Sequence, residues 1–347
     1  MRNLFVCHTQ AQLILACGLS QGRFKYDENH LILYVDFNLN DGLKSKLDSV
    51  FSKSLYLQHI YPKEYDSYKA KLKFYPKNWK RIKDFLKEPY DEVFVVCDSI
   101  ITTQKLIALA HQLNNNTTFN WLEDGILAYY QNVESHTGLG RNSFTLALRE
   151  FIYKYVFKVG SFAEYDFPAM GGLRCLKKAY VLFPDLVREP YFSEKELIQI
   201  TSEEYRQGLE SMYEASPISI DSNSVIIVVD RIDTYLYPEK VKESLEKFIK
   251  QSKTAGKTIY SKFHPREDKK WDIFSETTIL EKTVGIESFY LSLLANNVKP
   301  EIVGIKSTGL MSAKKMGFDV TTLFNECGET NSDLVKFFTN MGCKFEY

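Results

Sequence analysis

The stretch NLFVCHTQAQLILACGL (residues 3–19) places a short apolar run directly before a helical pattern. NLFVCH (3–8) predicts a strand, and TQAQLILACGL (9–19) predicts a helix. Four further strand candidates follow with helical segments between them: HLILYVD (30–36), SLYLQHI (54–60), EVFVVCD (92–98) and TFNWLED (118–124). Apolar strands separated by helices are typical of a parallel sheet that is covered on both faces. This part of the chain is therefore predicted to form an α/β domain.

The alternation breaks between about residues 131 and 190 and then resumes. Strands are predicted at 224–230, 257–263, 277–282, 301–306 and 319–324, and helices at 238–253, 287–297 and 308–317. We therefore predict two successive α/β domains, residues 1–185, with a linker region from about 131, and residues 186–347.

Composition and charge narrow the class of protein. Hydrophobic residues make up 44% of the 347 residues and charged residues 25%, as in ordinary soluble domains. Lys plus Arg and Asp plus Glu both number 44, so the net charge is zero and no nucleic-acid partner is expected. The six cysteines are scattered, without the spacing of a zinc site, which fits a reducing compartment.

Signals for membrane insertion are weak. The amino terminus has no signal-peptide layout, and no apolar run is long enough to cross a bilayer. The basic stretch KAKLKFYPKNWKRIK (69–83) is typical of a solvated helix face, and it is also compatible with contact to an anionic membrane surface. We expect a cytoplasmic protein, at most peripheral on the inner face of the membrane.

Polar motifs occur at the ends of four predicted strands. They are EDG (123–125), VDRID (229–233), HPRE (264–267) and KSTG (306–309). Parallel α/β sheets bind ligands outside the carboxyl ends of their strands, so these motifs are candidate site residues. Each also has a structural explanation, because polar residues cap strands and begin helices, as Ser307 or Thr308 does at a helix start.

These residue types suit a displacement reaction. A carboxylate removes a proton from an attacking hydroxyl, while His264 donates to a departing oxyanion. Pro265 fixes the chain direction after the strand and can aim the imidazole of His264. The STG sequence at a helix start can hold a phosphate. The sequence has no DxD and no carboxylate cluster, so we expect no metal and no cofactor. Glycosyl transfer from a nucleotide sugar fits best, and other phosphate chemistry remains open.

The order of these motifs resembles bacterial glycosyltransferase family 52. NLFVCHTQAQLILA (3–16) resembles the first strand and helix of that family. EDG, FHPRE and STG resemble the acidic-acidic-glycine, His-Pro and Ser/Thr motifs of bacterial sialyltransferases. The resemblance extends from residue 3 to about residue 320, and residues 131–220 have no counterpart.

The resemblance implies a GT-B architecture, with two Rossmann-like domains and a cleft between them. It implies an inverting, metal-independent transfer of sialic acid from CMP-sialic acid to a galactose-terminated glycan of a lipooligosaccharide or capsule. His264 would be the general acid, and Ser307, Thr308 and Gly309 would bind the phosphate. Glu287 would bind the ribose, although a glutamate is also favoured in the first turn of any helix.

The resemblance leaves the general base open between two loops. Glu123 and Asp124 belong to the motif shared among sialyltransferases, in which Gly125 is a further substrate-binding position. Asp233, with Asp230 before it, lies in the loop that family 52 itself suggests. We place Asp233 ahead of Asp124, because a carboxylate beside a glycine turn also has a structural use.

Three alternatives remain at this point. One is transfer of another sugar, such as glucose from UDP-glucose. Another is a nucleotide-sugar epimerase, which shares the architecture. The last is a binding protein without turnover. A homodimer is compatible with the sequence.

Overall fold

The computed structural model forms two compact units, Met1–Met212 and Tyr213–Tyr347. It describes residues 1–35, 37–58, 68–129, 148, 151–167, 170–187, 192–264, 267, 271–282, 284–328 and 332–345. The first part of the predicted linker region, residues 130–147, lies outside this described part.

The amino-terminal unit is a parallel sheet of seven strands, in the order β3-β2-β1-β4-β5-β6-β7. The strands are β1 (Arg2–Cys7), β2 (Glu28–Val35), β3 (Lys53–Gln58), β4 (Glu92–Val95), β5 (Thr118–Leu122), β6 (Leu176–Val181) and β7 (Glu196–Gln199). Among the described residues, the α-helices are α1 (Gln10–Gln21), α2 (Asp41–Val50), α3 (Tyr68–Phe85), α4 (Ile101–Leu113) and α5 (Ser202–Met212), and Ile152–Val156 is a π-helical turn. Strand β4 is buried along its whole length, as its unbroken apolar sequence predicts.

Helix α5 belongs to the amino-terminal unit because it packs tightly on α1. Two glycines allow the contact: a Cβ on Gly18 would overlap the carbonyl of Glu204, and one on Gly208 would overlap the carbonyl of Ile14. The chain therefore divides after Met212 instead of after residue 185. The sequence places the division too early because β6 and β7 are short and follow a region without clear periodicity.

The carboxy-terminal unit is a parallel sheet of six strands, in the order β10-β9-β8-β11-β12-β13. The strands are β8 (Ser224–Val229), β9 (Thr258–Phe263), β10 (Thr278–Ile279), β11 (Glu301–Gly304), β12 (Val320–Thr322) and β13 (Lys344–Phe345). The helices are α6 (Pro238–Thr254), α7 (Ile286–Ala295), α8 (Thr308–Lys315) and α9 (Ser332–Asn340).

Both sheets have the strand order of doubly wound nucleotide-binding folds. The order reverses between β1 and β4 in the first sheet and between β8 and β11 in the second. Ligands of such sheets bind at this switch point, outside the carboxyl ends of the strands. Within the described residues, no helix combines the length and the hydrophobicity that crossing a bilayer requires.

Candidate active site

The carboxyl ends of β9, β8 and β11 bring three of the predicted motifs together. These strands are neighbours in the second sheet, so VDRID, HPRE and KSTG all follow strands that end at the same edge. The N–H of His264 donates to the carbonyl of Val229 at 3.0 Å. The N–H of Lys306 donates to Oδ2 of Asp230 at 3.2 Å. One loop cluster in the carboxy-terminal unit therefore contains most of the candidate residues.

Asp230 spans the switch point between β8 and β11. Besides the bond from Lys306, its Oδ2 accepts a hydrogen bond from the hydroxyl of Tyr235 at 3.4 Å. Burial raises the pKa of the Asp230 carboxyl to about 6, although hydrogen bonds from Lys306 and Ser307 oppose this shift. The Asp230 carboxyl therefore bonds to the loop that precedes α8. This bonding favours a role in positioning that loop.

Helix α8 presents its amino-terminal end at the same edge. The hydroxyl of Ser307 caps the helix and accepts the N–H of Gly309 at 3.2 Å, while Thr308 is exposed in the first turn. A Cβ on Gly309 would lie 3.2 Å from the side chain of Ile286, so glycine also allows α8 to pack closely on α7. The ammonium of Lys306 donates to the carbonyl of Thr234 at 2.8 Å and adds a positive charge. A helix end with these groups suits a phosphate.

Glu287 lies in the first turn of α7, as predicted, and faces α8. The hydroxyl of Ser312 on α8 donates to its Oε1 at 3.3 Å. Burial raises the pKa of Glu287, and the hydrogen bond from Ser312 and the charge of Lys262 oppose the shift. The carboxyl group therefore lies close to the helix that carries Thr308.

Lys262 is a buried cation that sequence analysis did not select. It is 3% exposed, and its Nζ donates to the carbonyls of Phe263 at 3.0 Å and Lys282 at 3.1 Å. Burial lowers the pKa of its ammonium to about 8, while the nearby charge of Glu287 opposes the shift. Lys262 therefore fixes the segment before α7. Its position in β9, two residues before His264, is the one signal that could have identified it, because alternate residues of an extended chain face the same side.

His264 is exposed and its backbone is fixed on both sides. Its N–H bonds to Val229, and its carbonyl accepts the N–H of Glu267 at 3.0 Å. Glu267 is 6% exposed, and its Oε2 accepts the N–H of Ile232 at 2.5 Å. This residue, the last of the HPRE motif, links the histidine turn to the VDRID loop, a function that the sequence did not reveal. Pro265 lies outside the described residues.

Asp233 lies on the short turn Ile232–Thr234 and is exposed. Its carboxylate pairs with the guanidinium of Arg231, and each side chain retains nearly half of its exposure. An exposed ion pair of this kind is worth at most about 1 kcal/mol and is easily broken. The Asp233 carboxylate is therefore accessible from solvent, and no buried group among the described residues holds it in one orientation.

The side chain of Glu123 is buried inside the amino-terminal unit. It is 1% exposed, and its Oε2 accepts the hydroxyl of Tyr129 and, at 2.7 Å, the N–H of Leu182. The hydroxyl of Tyr129 accepts the N–H of Phe183 at 3.1 Å. These bonds join β5 to the chain after β6, so the geometry gives Glu123 a structural role instead of that of a base.

Asp124 is half-buried and oriented by the first helix of the chain. Its Oδ1 accepts Nε2 of Gln12 at 2.7 Å. The Oε1 of Gln12 accepts the N–H groups of His8 at 2.7 Å and Thr9 at 3.3 Å. Thr9 and Gln12 form the capping box of α1, so the T-x-x-Q sequence both begins the helix and holds the aspartate. Gly125 follows with φ of +58°, a conformation that favours glycine.

No group of three or more His, Cys, Asp or Glu side chains in the described part of the chain is arranged to hold a metal ion. Positive groups at the carboxyl edge of the second sheet include the first turn of α8, Lys306 and Arg231.

The fold is shared with bacterial sialyltransferases and with nucleotide-sugar epimerases. An α/β-galactoside α-2,3-sialyltransferase from Photobacterium phosphoreum has a TM-score of 0.54 at 11% identity, with 99% of this chain and 98% of that chain covered. The GT-B domain of a sialyltransferase from Photobacterium damselae has a TM-score of 0.50 at 12% identity, with 99% of both chains covered. UDP-GlcNAc 2-epimerase from Neisseria meningitidis has a TM-score of 0.57 at 15% identity, with 100% and 95% covered. The predicted GT-B fold class is confirmed.

The family is established by sequence. A comparison with curated proteins gives no significant match. The model of the family described as alpha-2,8-polysialyltransferase (POLYST) matches residues 3–324, which is nearly the whole chain. The prediction of a sialyltransferase family is confirmed at this level, while the lipooligosaccharide or capsule acceptor stays a prediction. With two parallel α/β units and a family match that spans both of them, the chain belongs to the alpha-2,8-polysialyltransferase family of glycosyltransferases.

Proposed function

We propose that the protein is an inverting, metal-independent sialyltransferase that uses CMP-sialic acid. The observation that carries the proposal is the loop cluster at the switch point of the second sheet. There an exposed imidazole, that of His264 after β9, and an exposed helix start, that of Thr308 after β11, follow the two strands that flank β8. The family match supports sialic acid as the transferred sugar.

The reaction is a displacement at the anomeric carbon of sialic acid. The acceptor hydroxyl forms a bond to that carbon and gives its proton to a carboxylate. The bond from the carbon to the phosphate oxygen of CMP breaks, and the electron pair leaves with the phosphate. His264 donates a proton to that oxygen, and the amino-terminal end of α8 with Lys306 stabilises the phosphate charge. Glu287 accepts hydrogen bonds from the ribose hydroxyls.

We assign the general base to Asp124, with Asp233 as the alternative. A base must be held within hydrogen-bond reach of the attacking hydroxyl, and a neighbouring group that orients it improves catalysis. Gln12 supplies such an orienting bond at 2.7 Å and is itself fixed by two backbone N–H groups. Asp233 lacks such an orienting bond in the described part of the chain, and it forms an exposed ion pair with Arg231. The sequence alone favoured Asp233, and the support for Asp124 comes from this side-chain geometry.

The acceptor class is the second part of the proposal. The family description supports a sialic-acid-terminated glycan joined through α-2,8 linkages. The galactose-terminated acceptor predicted from the sequence remains the alternative, since a galactoside sialyltransferase shares the fold. Parallel assays with an oligosialic acid and with lactose distinguish the two. We also propose that the protein works in the cytoplasm, and its six free cysteines support that location.

The decisive experiment is transfer from CMP-sialic acid in the presence of excess EDTA. We expect sialylated product from at least one of the two acceptors, at the same rate with and without the chelator. Loss of transfer that Mg²⁺ or Mn²⁺ restores would contradict metal independence. Absence of product from CMP-sialic acid under every condition would contradict the proposed function.

Nucleotide binding provides the control for that experiment. At a hundred times its dissociation constant, a ligand of the native state adds about 2.7 kcal/mol to the free energy of unfolding. CMP should produce such an increase and UDP should not. An increase with UDP alone would favour the UDP-sugar transferase or the epimerase.

Thr308→Ala and Glu287→Ala should each weaken CMP binding by about tenfold or more. Each change removes a hydrogen bond to a charged or polar group of the nucleotide, worth roughly 1.5–3 kcal/mol when a charge takes part. Isothermal titration calorimetry measures the effect. Thr339→Ala, on an exposed face of α9, is the matched control and should bind CMP normally. Unchanged affinity in both site variants would remove these residues from the donor pocket.

A further inference from the structure

A helical segment in the amino-terminal unit exposes a row of large apolar side chains. Leu148 is 47% exposed, Phe151 57%, Tyr155 60% and Val156 63%. Phe151, Tyr155 and Val156 are spaced i, i+4 and i+5 along the π-helical turn Ile152–Val156 and the residue before it, which places these three side chains on one side of the turn. The rings of Phe151 and Tyr155 lie 5.0 Å apart. We call these four side chains the aromatic face.

The opposite side of the same segment is firmly packed. The ring of Phe157 lies 5.6 Å from that of Trp79 on α3, and Tyr153 packs in the same cluster with Ile101. Lys105 on α4 donates to the carbonyl of Phe157 at 3.2 Å, at the end of the segment. Packed contacts and a capped end hold the backbone in place, so the aromatic face is presented on a fixed support.

The neighbouring helix α3 adds positive charge. Lys80 follows Trp79 directly, Lys83 lies one turn further along, and both side chains are exposed. Lys77 and Arg81 are exposed on the same helix, where Asp84 is the nearby acid in the described sequence. The whole chain has no net charge, so this is a local excess of positive charge.

We propose that the aromatic face inserts into the headgroup region of an anionic membrane, with Lys80 and Lys83 contacting the lipid phosphates. Large apolar side chains beside lysines are the pattern of interfacial membrane binding. Leu148, Phe151 and Val156 have no side-chain group that could hydrogen-bond to sugar hydroxyls, so the face suits lipid better than a glycan. The aromatic face would be the surface by which a cytoplasmic protein attaches peripherally to the membrane. This attachment does not depend on the identity of the donor sugar.

Vesicle flotation tests the apolar part. The intact protein should float with vesicles of phosphatidylcholine and phosphatidylglycerol and bind vesicles of phosphatidylcholine alone much less. Phe151→Ser combined with Tyr155→Ser should lower vesicle binding by about tenfold or more, since burial of an aromatic side chain is a large part of interfacial binding. Tyr26→Ser, which alters a 95% exposed tyrosine elsewhere in the unit, is the matched control and should bind normally.

Lysine variants test the electrostatic part. Lys80→Gln and Lys83→Gln should each weaken binding to the anionic vesicles by about fivefold, and added salt should have a similar effect. Lys336→Gln, an exposed lysine of the carboxy-terminal unit, is the control. Transfer to a soluble acceptor should be unchanged in all these variants, which separates this proposal from the catalytic one.

Three results would overturn the membrane proposal. The first is vesicle binding that the serine and glutamine variants leave intact. The second is a dimer of the intact protein, seen by analytical ultracentrifugation, that is lost in the serine variant, together with no binding of the intact protein to vesicles. The third is binding to a soluble anionic glycan, lost in the serine variant, without any vesicle binding.

Discussion

His264→Ala should lower kcat by about 10²- to 10⁴-fold while CMP still binds. General acid catalysis contributes a factor of this size, and the imidazole is the candidate proton donor for the departing phosphate oxygen. The backbone of His264 is held by Val229 and Glu267 through main-chain groups, so removal of the exposed side chain should leave the loop in place. Steady-state transfer from CMP-sialic acid measures kcat, and calorimetry measures the affinity for CMP.

Two further variants serve as controls for the kcat of His264→Ala. His264→Gln retains a polar side chain without an acidic proton near neutral pH, so it should lose nearly as much kcat as the alanine variant. His111→Ala, on α4 of the other unit, should turn over normally. Near-normal kcat in His264→Ala would mean that this histidine is only a strand-end residue and that the leaving group departs without an acid.

Asp124→Asn should also lower kcat by about 10²- to 10⁴-fold. The substitution keeps the shape of the side chain and an oxygen for Gln12, so the melting temperature and the CMP affinity should stay near those of the unsubstituted protein. Only the ability to take a proton from the acceptor hydroxyl is removed. The same transfer assay measures the effect, at saturating acceptor so that kcat is read directly.

Asp233→Asn and Gln12→Ala complete that test. Asp233→Asn breaks only an exposed ion pair and should retain most of kcat. Gln12→Ala removes the bond that orients Asp124, so it should lower kcat less than Asp124→Asn does, and Gln12→Glu should not restore it because a second carboxylate repels the first. If Asp233→Asn abolishes transfer and Asp124→Asn does not, the base is Asp233, as the sequence alone had favoured.

Strands that are buried on both faces were predictable because their sequences are unbroken apolar runs. EVFVVCD (92–98) and SVIIVVD (224–230) are such runs, and each contains an observed strand. Helix α3 contains the basic stretch 69–83, which the sequence pattern indicated as a solvated helix face, and it continues through Pro76. The predicted strand 277–282 is reduced to Thr278–Ile279, whose side chains are exposed and give no strong pattern.

The candidate site was predictable only as a set of strand ends. The sequence places His264 and Ser307 after two strands, and the parallel order β9-β8-β11 puts those ends at one edge of the sheet, on either side of β8. The buried residues that support these strand ends could not be recognised from the sequence. Lys262 looks like an ordinary polar position in a half-buried strand, and Glu267 looks like a surface charge in a turn, although both are buried.

Local sequence determined the alternation of strands and helices, the capping box of α1 and the order of the motifs, because periodicity and caps act over a few residues. The tertiary structure alone decided which groups meet over long separations. The bond from Gln12 to Asp124 joins residues 112 positions apart, and the bond from Lys306 to Asp230 joins residues 76 positions apart. Such contacts depend on how strands are ordered within a sheet, and a single sequence carries no short-range signal for that order.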